Sequence, residues 1–153
     1  MKKTQINDDN DDDYYMFMAQ MEKKHARCNK KHLGVCLVLD NLKIITGSNG
    51  PPEILKQCNP CPRLNSHSGT DLHLCRAVHA ERSALLKAAK SKYSTKKSKL
   101  YSYMGVPCKD CLLELIYAGV EEIICLEETY YDELSKEILQ EWINSGGKFR
   151  CLK

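Results

Sequence analysis

Two short segments carry residue types that can do chemistry at spacings that suit it: His79-Ala80-Glu81, and Pro107-Cys108-Lys109-Asp110-Cys111. Taken singly each has a plain reading, since a lone histidine more often caps or packs than ligates, and a lone CxxC serves as a redox pair or a clip. Taken together, in this order, they supply one imidazole and two thiolates. That is a three-donor set for a tetrahedral zinc whose fourth position stays open to water, as in catalytic rather than closed structural sites. Zinc held this way draws the pKa of water toward about 7. Glu81 is no ligand in this set; it stands where a carboxylate can take a proton from the water and hand it on. Cys108 and Cys111, three positions apart, share one face of a first helical turn, and the positive end of a helix favours thiolates.

The elements that must position these residues are readable from periodicity. Residues 1–13 are polar and acidic and are expected to be disordered, with a single domain over 14–153. Helical spacing begins near Tyr14, with Tyr14, Phe17, Met18 and Met21 on one face, and fades by Cys28. Leu33–Leu39 reads as a buried strand, Asp40-Asn41 as a turn and Lys43–Thr46 as its hairpin partner. Residues 53–75 form a long loop rich in Cys, Pro and Gly, which needs either a function or a staple. A helix over Ala80–Lys90, a strand at Leu100–Met104, a helix over Cys108–Ala118 and a strand at Glu122–Leu126 follow. An amphipathic helix over Asp132–Asn144, stopped by Gly146-Gly147, and a last strand at Lys148–Leu152 complete the chain. This order predicts an α/β domain of three layers, α/β/α, around a mixed sheet of about five strands.

Bulk properties narrow the partners. In 153 residues, 42% are hydrophobic and 28% charged, and no apolar run approaches the roughly 20 residues that cross a bilayer. The first residues hold no apolar stretch of the signal-peptide kind, which leads us to expect a cytoplasmic protein. Nine cysteines cannot all pair, and disulfides are rare in a reducing compartment. Net charge is +3 despite the acidic N-terminal run. Lys87, Lys90, Lys92, Lys96, Lys97 and Lys99 form a basic stretch after the central helix, read first as a solvated face and second as an attractor for a phosphate-bearing ligand. Basic residues do not interleave with aromatic ones, so nucleic acid is a poor fit.

A histidine with a glutamate two residues on, followed later by Pro-Cys-x-x-Cys, is the mark of zinc deaminases. The chain resembles the deoxycytidylate deaminase branch of the cytidine deaminase-like superfamily from about Asp13 to Leu152. The likeness runs through Cys28, Leu33-Gly34-Val35, Gly47-Ser48-Asn49-Gly50-Pro51-Pro52, Cys61-Pro62-Arg63, Ser68-Gly69, Cys75 to Glu81, Ala118-Gly119-Val120 and Tyr130. The family usually has Tyr where Ser48 stands and Asn where Ser83 stands. The resemblance implies the cytidine deaminase-like fold and a hydrolase that deaminates dCMP to dUMP in pyrimidine nucleotide metabolism. It implies Asn49 at the deoxyribose 3′-hydroxyl, Tyr130 closing over the nucleotide and Lys90 at the 5′-phosphate, where an ammonium suits a dianion. It further implies a homo-oligomer and allosteric control by dCTP and dTTP.

Some similar enzymes carry an extra zinc on cysteines equivalent in position to Cys28 and Cys58. Cys58 and Cys61 have CxxC spacing inside the long loop, so a second, structural zinc is expected on Cys28, Cys58, Cys61 and Cys75. Two rival readings stand beside dCMP deamination. One is another enzyme of the superfamily, above all a dual dCMP/dCTP deaminase; the other is a non-catalytic zinc module, against which the presence of Glu81 argues.

Overall fold

The computed structural model describes residues 8–153, with side chains from residue 11 onward. Four helices and five strands alternate along it: α1 (Asp8–Glu22), β1 (Gly34–Val38), β2 (Ile44–Ser48), α2 (Ala80–Lys90), β3 (Lys99–Ser102), α3 (Lys109–Tyr117), β4 (Glu122–Cys125), α4 (Glu133–Asn144) and β5 (Lys148–Cys151). The sheet runs β2-β1-β3-β4-β5, antiparallel from β2 through β3 and parallel from β3 to β5. The expected mixed five-stranded sheet is present, and every expected helix and strand after α1 lies within a few residues of its predicted bounds.

Both faces of the sheet are covered. Strand β1 is buried at all five positions, which is why its sequence is a continuous apolar run and not an alternation. Val35, Leu37 and Leu39 face a cluster with Ala80 and Ala84 of α2, Leu112 and Leu115 of α3 and Leu139 of α4. Cys36 and Val38 face the other way, onto Met16 and Ala19 of α1 with Tyr101 and Ile124. The layers are therefore α1, the sheet, and α2–α4.

The N-terminal helix differs from expectation. The disorder expected over residues 1–13 lies, as far as residue 7, outside the described residues. Residues 8–13 belong to α1, and Asp12 is only 6% exposed. The buried face holds Asp12, Met16 and Ala19, while Tyr14 and Phe17 are turned to the surface. Two features decide this. A side chain at Gly34 would meet the carbonyl of Ala19 at 2.1 Å, so α1 lies backbone to backbone on β1 at its small residue. Asp12 is drawn in by Arg150 and Tyr101, whose groups bond to its carboxylate.

Candidate zinc centre and nucleotide cavity

Helices α2 and α3 each begin with a metal-ligand candidate. His79 caps α2 in extended conformation, its carbonyl accepting from Ser83 N at 2.8 Å, and Cys108 does the same for α3, accepting from Leu112 N at 2.8 Å. A capping residue's side chain leaves the helix end pointing ahead of the first turn, beside the unpaired N–H groups. A two-residue bridge, Gly50 N to Val78 O at 3.1 Å and Val78 N to Gly50 O at 2.9 Å, holds the approach to His79 against the turn after β2. The end of β2 itself lies close to α2: a side chain at Gly47 would meet the Ala80 carbonyl at 2.2 Å.

His79 Nδ1 lies 3.3 Å from Cys111 Sγ and 3.5 Å from Cys108 Sγ. These three donors fall within 4.8 Å of one another, the only such group of three among the described residues. One nitrogen and two sulfurs at this spacing fit zinc and leave a tetrahedral position free. The thiols are unequal: a hydrogen bond from Cys111, with His79 adding to it, draws Cys108 down to about 4, while Cys111 moves upward chiefly through the same bond. Glu81, 9% exposed, lies on the first turn of α2 beside them. Burial pushes its carboxyl above the ordinary carboxylate range, which suits a group that must both take and give a proton.

Asp132 is a residue the sequence reading missed in this role. It caps α4, Oδ1 accepting from Ser135 N at 2.7 Å, and its Oδ2 accepts from Lys109 N at 3.0 Å. One carboxylate thus satisfies a free N–H at the start of α3, directly after Cys108. The visible signal was only an acidic residue before an amphipathic helix; its second partner is 23 residues away.

A cavity of about 610 Å³ opens over the centre, with His79, Glu81 and Cys108 in its lining and Asn49 and Tyr130 in its wall. Asn49 is buried, and both ends of its amide are engaged: Nδ2 donates to Lys31 O and Oδ1 accepts from Leu33 N, each at 2.8 Å. It fixes the strand leading into β1 as well as facing the cavity. Tyr130 donates to Glu128 at 2.8 Å.

Lys90 is not in this cavity. It is the exposed last residue of α2, and eleven residues of helix set it about 15 Å from the end that bears His79. The cations that line the cavity are Lys30, Lys31 and Arg63. Lys30 spends its ammonium on the carbonyls of Arg63 at 2.6 Å and Ser66 at 2.5 Å, holding the long loop in place. Arg63 donates through Nε to Thr70 O at 2.8 Å, which leaves its terminal nitrogens, with the Lys31 ammonium, for a ligand. Arg63 lay outside the expected set because its contribution depends on the path of the long irregular loop between β2 and α2.

Cys28, Cys58, Cys61 and Cys75 line one small cavity of about 20 Å³. The fold gathers them from three segments, yet no three of their sulfurs lie within 4.8 Å of one another. All nine cysteines are unpaired. Among the described residues no helix is long and apolar enough to cross a membrane.

Residues 9–127 match the family model described as the cytidine and deoxycytidylate deaminase zinc-binding region. The chain is 35% identical to the deoxycytidylate deaminase of Schizosaccharomyces pombe over 133 residues, 84% of this chain and 41% of that protein. It is 31% identical to that of Saccharomyces cerevisiae over 131 residues, with the same shares. It thus spans about two fifths of the length of these relatives. Among solved structures, the dCMP deaminase of cyanophage S-TIM5, crystallised with dCMP and dUMP, superposes with a TM-score of 0.76 at 25% identity, covering 96% of this chain and 99% of that one.

Proposed function

Since the chain belongs to the cytidine and deoxycytidylate deaminase zinc-binding family, we propose that it hydrolyses the exocyclic amine of a 5′-phosphorylated deoxycytidine, converting dCMP to dUMP and ammonia. The observation that carries this reading is a three-donor zinc site with a buried carboxylate beside it, opening into a cavity whose wall bears Lys31 and Arg63. The dCMP and dUMP held by the cyanophage enzyme support the same substrate class.

The residues divide the work. His79, Cys108 and Cys111 hold the zinc, which when bound supplies Lewis-acid activation of water. Glu81 takes the water's proton, passes it to the ring nitrogen, and assists the amine as it leaves as ammonia; oxygen replaces nitrogen on the ring carbon. The water-poor floor around Glu81 strengthens these charge contacts. Asn49 and Tyr130 flank the sugar and base, while Lys31 and Arg63 meet the phosphate. Removing the phosphate leaves those cations unpaired in the complex and costs transition-state binding.

A panel of dCMP, dCTP, deoxycytidine and CMP, followed by ammonia release, tests the proposal. Deoxycytidine is expected to be far poorer than dCMP. Arg63→Ala and Lys31→Ala should lower kcat/KM for dCMP while leaving deoxycytidine nearly unchanged. Equal kcat/KM for dCMP and deoxycytidine would return the protein to the nucleoside deaminases, and no release from any member would leave a zinc module. A cytoplasmic location, a homo-oligomer and control by dCTP and dTTP belong to the same proposal and rest on the resemblance. A second zinc on Cys28, Cys58, Cys61 and Cys75 also belongs to it, supported by their shared cavity, and requires the thiols to turn inward.

A further inference from the structure

Arg82 and Glu114 stand outside the cavity lining and are no part of the ligand set, yet they join the two helices that carry it. Arg82 Nε donates to Glu114 Oε2 at 2.9 Å and Nη2 to Oε1 at 2.7 Å, a forked pair of fixed geometry. Arg82 is three residues beyond His79 on α2, and Glu114 is three residues beyond Cys111 on α3. Each partner therefore sits about 4.5 Å along its helix axis from a metal donor, one turn behind it.

The other contacts named between these helices are apolar. The buried cluster shared by α2 and α3 brings Ala80 and Ala84 together with Leu112 and Leu115, and apolar burial has no directional preference. Among the described residues the apolar seam carries no hydrogen bond or ion pair that fixes the helices along their axes, and a slide of a fraction of an ångström matters at the metal. Such a slide displaces His79 relative to both thiols, whose bonds to zinc tolerate only about 0.2 Å. The guanidinium also lies within the field of the site: Glu114 foremost, then the charges of Cys111 and Cys108, hold it above its ordinary value.

We propose that the Arg82–Glu114 pair is a crossbar that sets the spacing of the zinc donors, with both residues acting as positioning residues and neither touching substrate. This rests on the zinc site and not on the identity of the substrate, so it stands or falls separately from the dCMP reading.

The test is the rate of zinc release from the holoenzyme to a colorimetric chelator, for Arg82→Gln, Glu114→Gln and the reversed pair Arg82→Glu/Glu114→Arg. Both side chains are about two-fifths exposed, so the bridge is screened by salt and modest in strength. Each single variant should release zinc about threefold to fivefold faster, the range such a pair can carry. The reversed pair should return to within about twofold of wild type, because the fork is rebuilt in the other direction. High salt should speed release from wild type and leave the single variants unmoved. KM for dCMP should be unchanged throughout.

Glu114→Gln is a conservative change on the outer face of α3 that keeps the variant set informative if Arg82 variants unfold, with circular dichroism reporting the fold. Wild-type release from both single variants would overturn the proposal. So would a reversed pair that releases zinc as fast as the singles, since the positive charge of Arg82, and not the bridge, would then be what holds the metal.

Discussion

Glu81 sits in an environment far from that of a surface carboxylate. Buried at the first turn of α2 with its carboxyl pushed upward, it stands beside the donors without belonging to them. Glu81→Gln preserves size and hydrogen bonding but removes the proton carrier. The variant should keep one zinc at the His79 site while turnover falls by about 10² to 10⁴, read by metal analysis alongside ammonia release from dCMP. Turnover at the wild-type rate would assign the proton transfers elsewhere. These residues were legible in the sequence because their spacing is local: His79 and Glu81 are two apart, Cys108 and Cys111 three apart. Asn49 was legible as a cavity residue, while its hold on Lys31 and Leu33 was not, since those bonds depend on where the approach to β1 lies.

At the scale of elements, the ends of α2 and α3 are built and the long loop is suspended. Residues 51–75 bury no apolar core of their own: Ile54 is 93% exposed, and Leu64, Leu72 and Leu74 are turned to solvent. What holds the loop is polar and comes from one segment. Arg27 donates to the carbonyls of Pro51 at 2.8 Å, Pro52 at 2.6 Å and Leu55 at 2.7 Å; Asn29 donates to Cys58 O; Lys30 donates to Arg63 and Ser66. A metal on Cys28 and the loop thiols of Cys58, Cys61 and Cys75 would supply the missing core, as structural zinc does in small irregular folds. Freshly purified, unchelated protein should therefore contain two zincs per chain. Cys61→Ser should lose one and leave Arg63 poorly placed, so that KM for dCMP rises more than kcat falls. One zinc per chain in the wild-type protein would remove the second site.

Across the whole molecule, one partly buried ionic group ties the first helix to the last strand. Arg150 of β5 donates to Asp12 of α1 through both Nη atoms and to Glu122 of β4 at 2.6 Å, and Tyr101 of β3 donates to Asp12 at 2.8 Å. Burial alone would raise Asp12, but the hydrogen bonds from Arg150 and Tyr101 and the charge of Arg150 outweigh it and hold the carboxyl below its ordinary value. A carboxylate held low in the folded state contributes stability that is fully present above its unfolded value, near pH 4, and lost as pH falls through the folded one. Asp12→Asn leaves Arg150 and Tyr101 short of their partner; since the Arg150 side chain is 40% exposed and partly screened by solvent, the cost at pH 7 should be about 1–3 kcal/mol. The gap to wild type should narrow below about pH 4, as denaturant unfolding at pH 7 and pH 3 would show. A gap that stays constant with pH would mean that packing at Asp12, not its charge, matters.

The sequence by itself singled out the His79, Cys108 and Cys111 group and Glu81 beside it, the alternation of strands and helices and the layered α/β class. Each depends on residues a few positions apart or on a periodicity of two or 3.6, which the chain imposes locally. Tertiary structure alone decided what is long-range. It set Asp12 and not Tyr14 on the inner face of α1, because Arg150 lies 138 residues away in the chain. It set Lys31 and Arg63, not Lys90, in the cavity wall, because a straight helix carries its last residue away from its first. It let Asp132 serve two helices at once, because α3 and α4 begin side by side. Charged groups find partners wherever the fold brings them, and no spacing in the chain records those meetings.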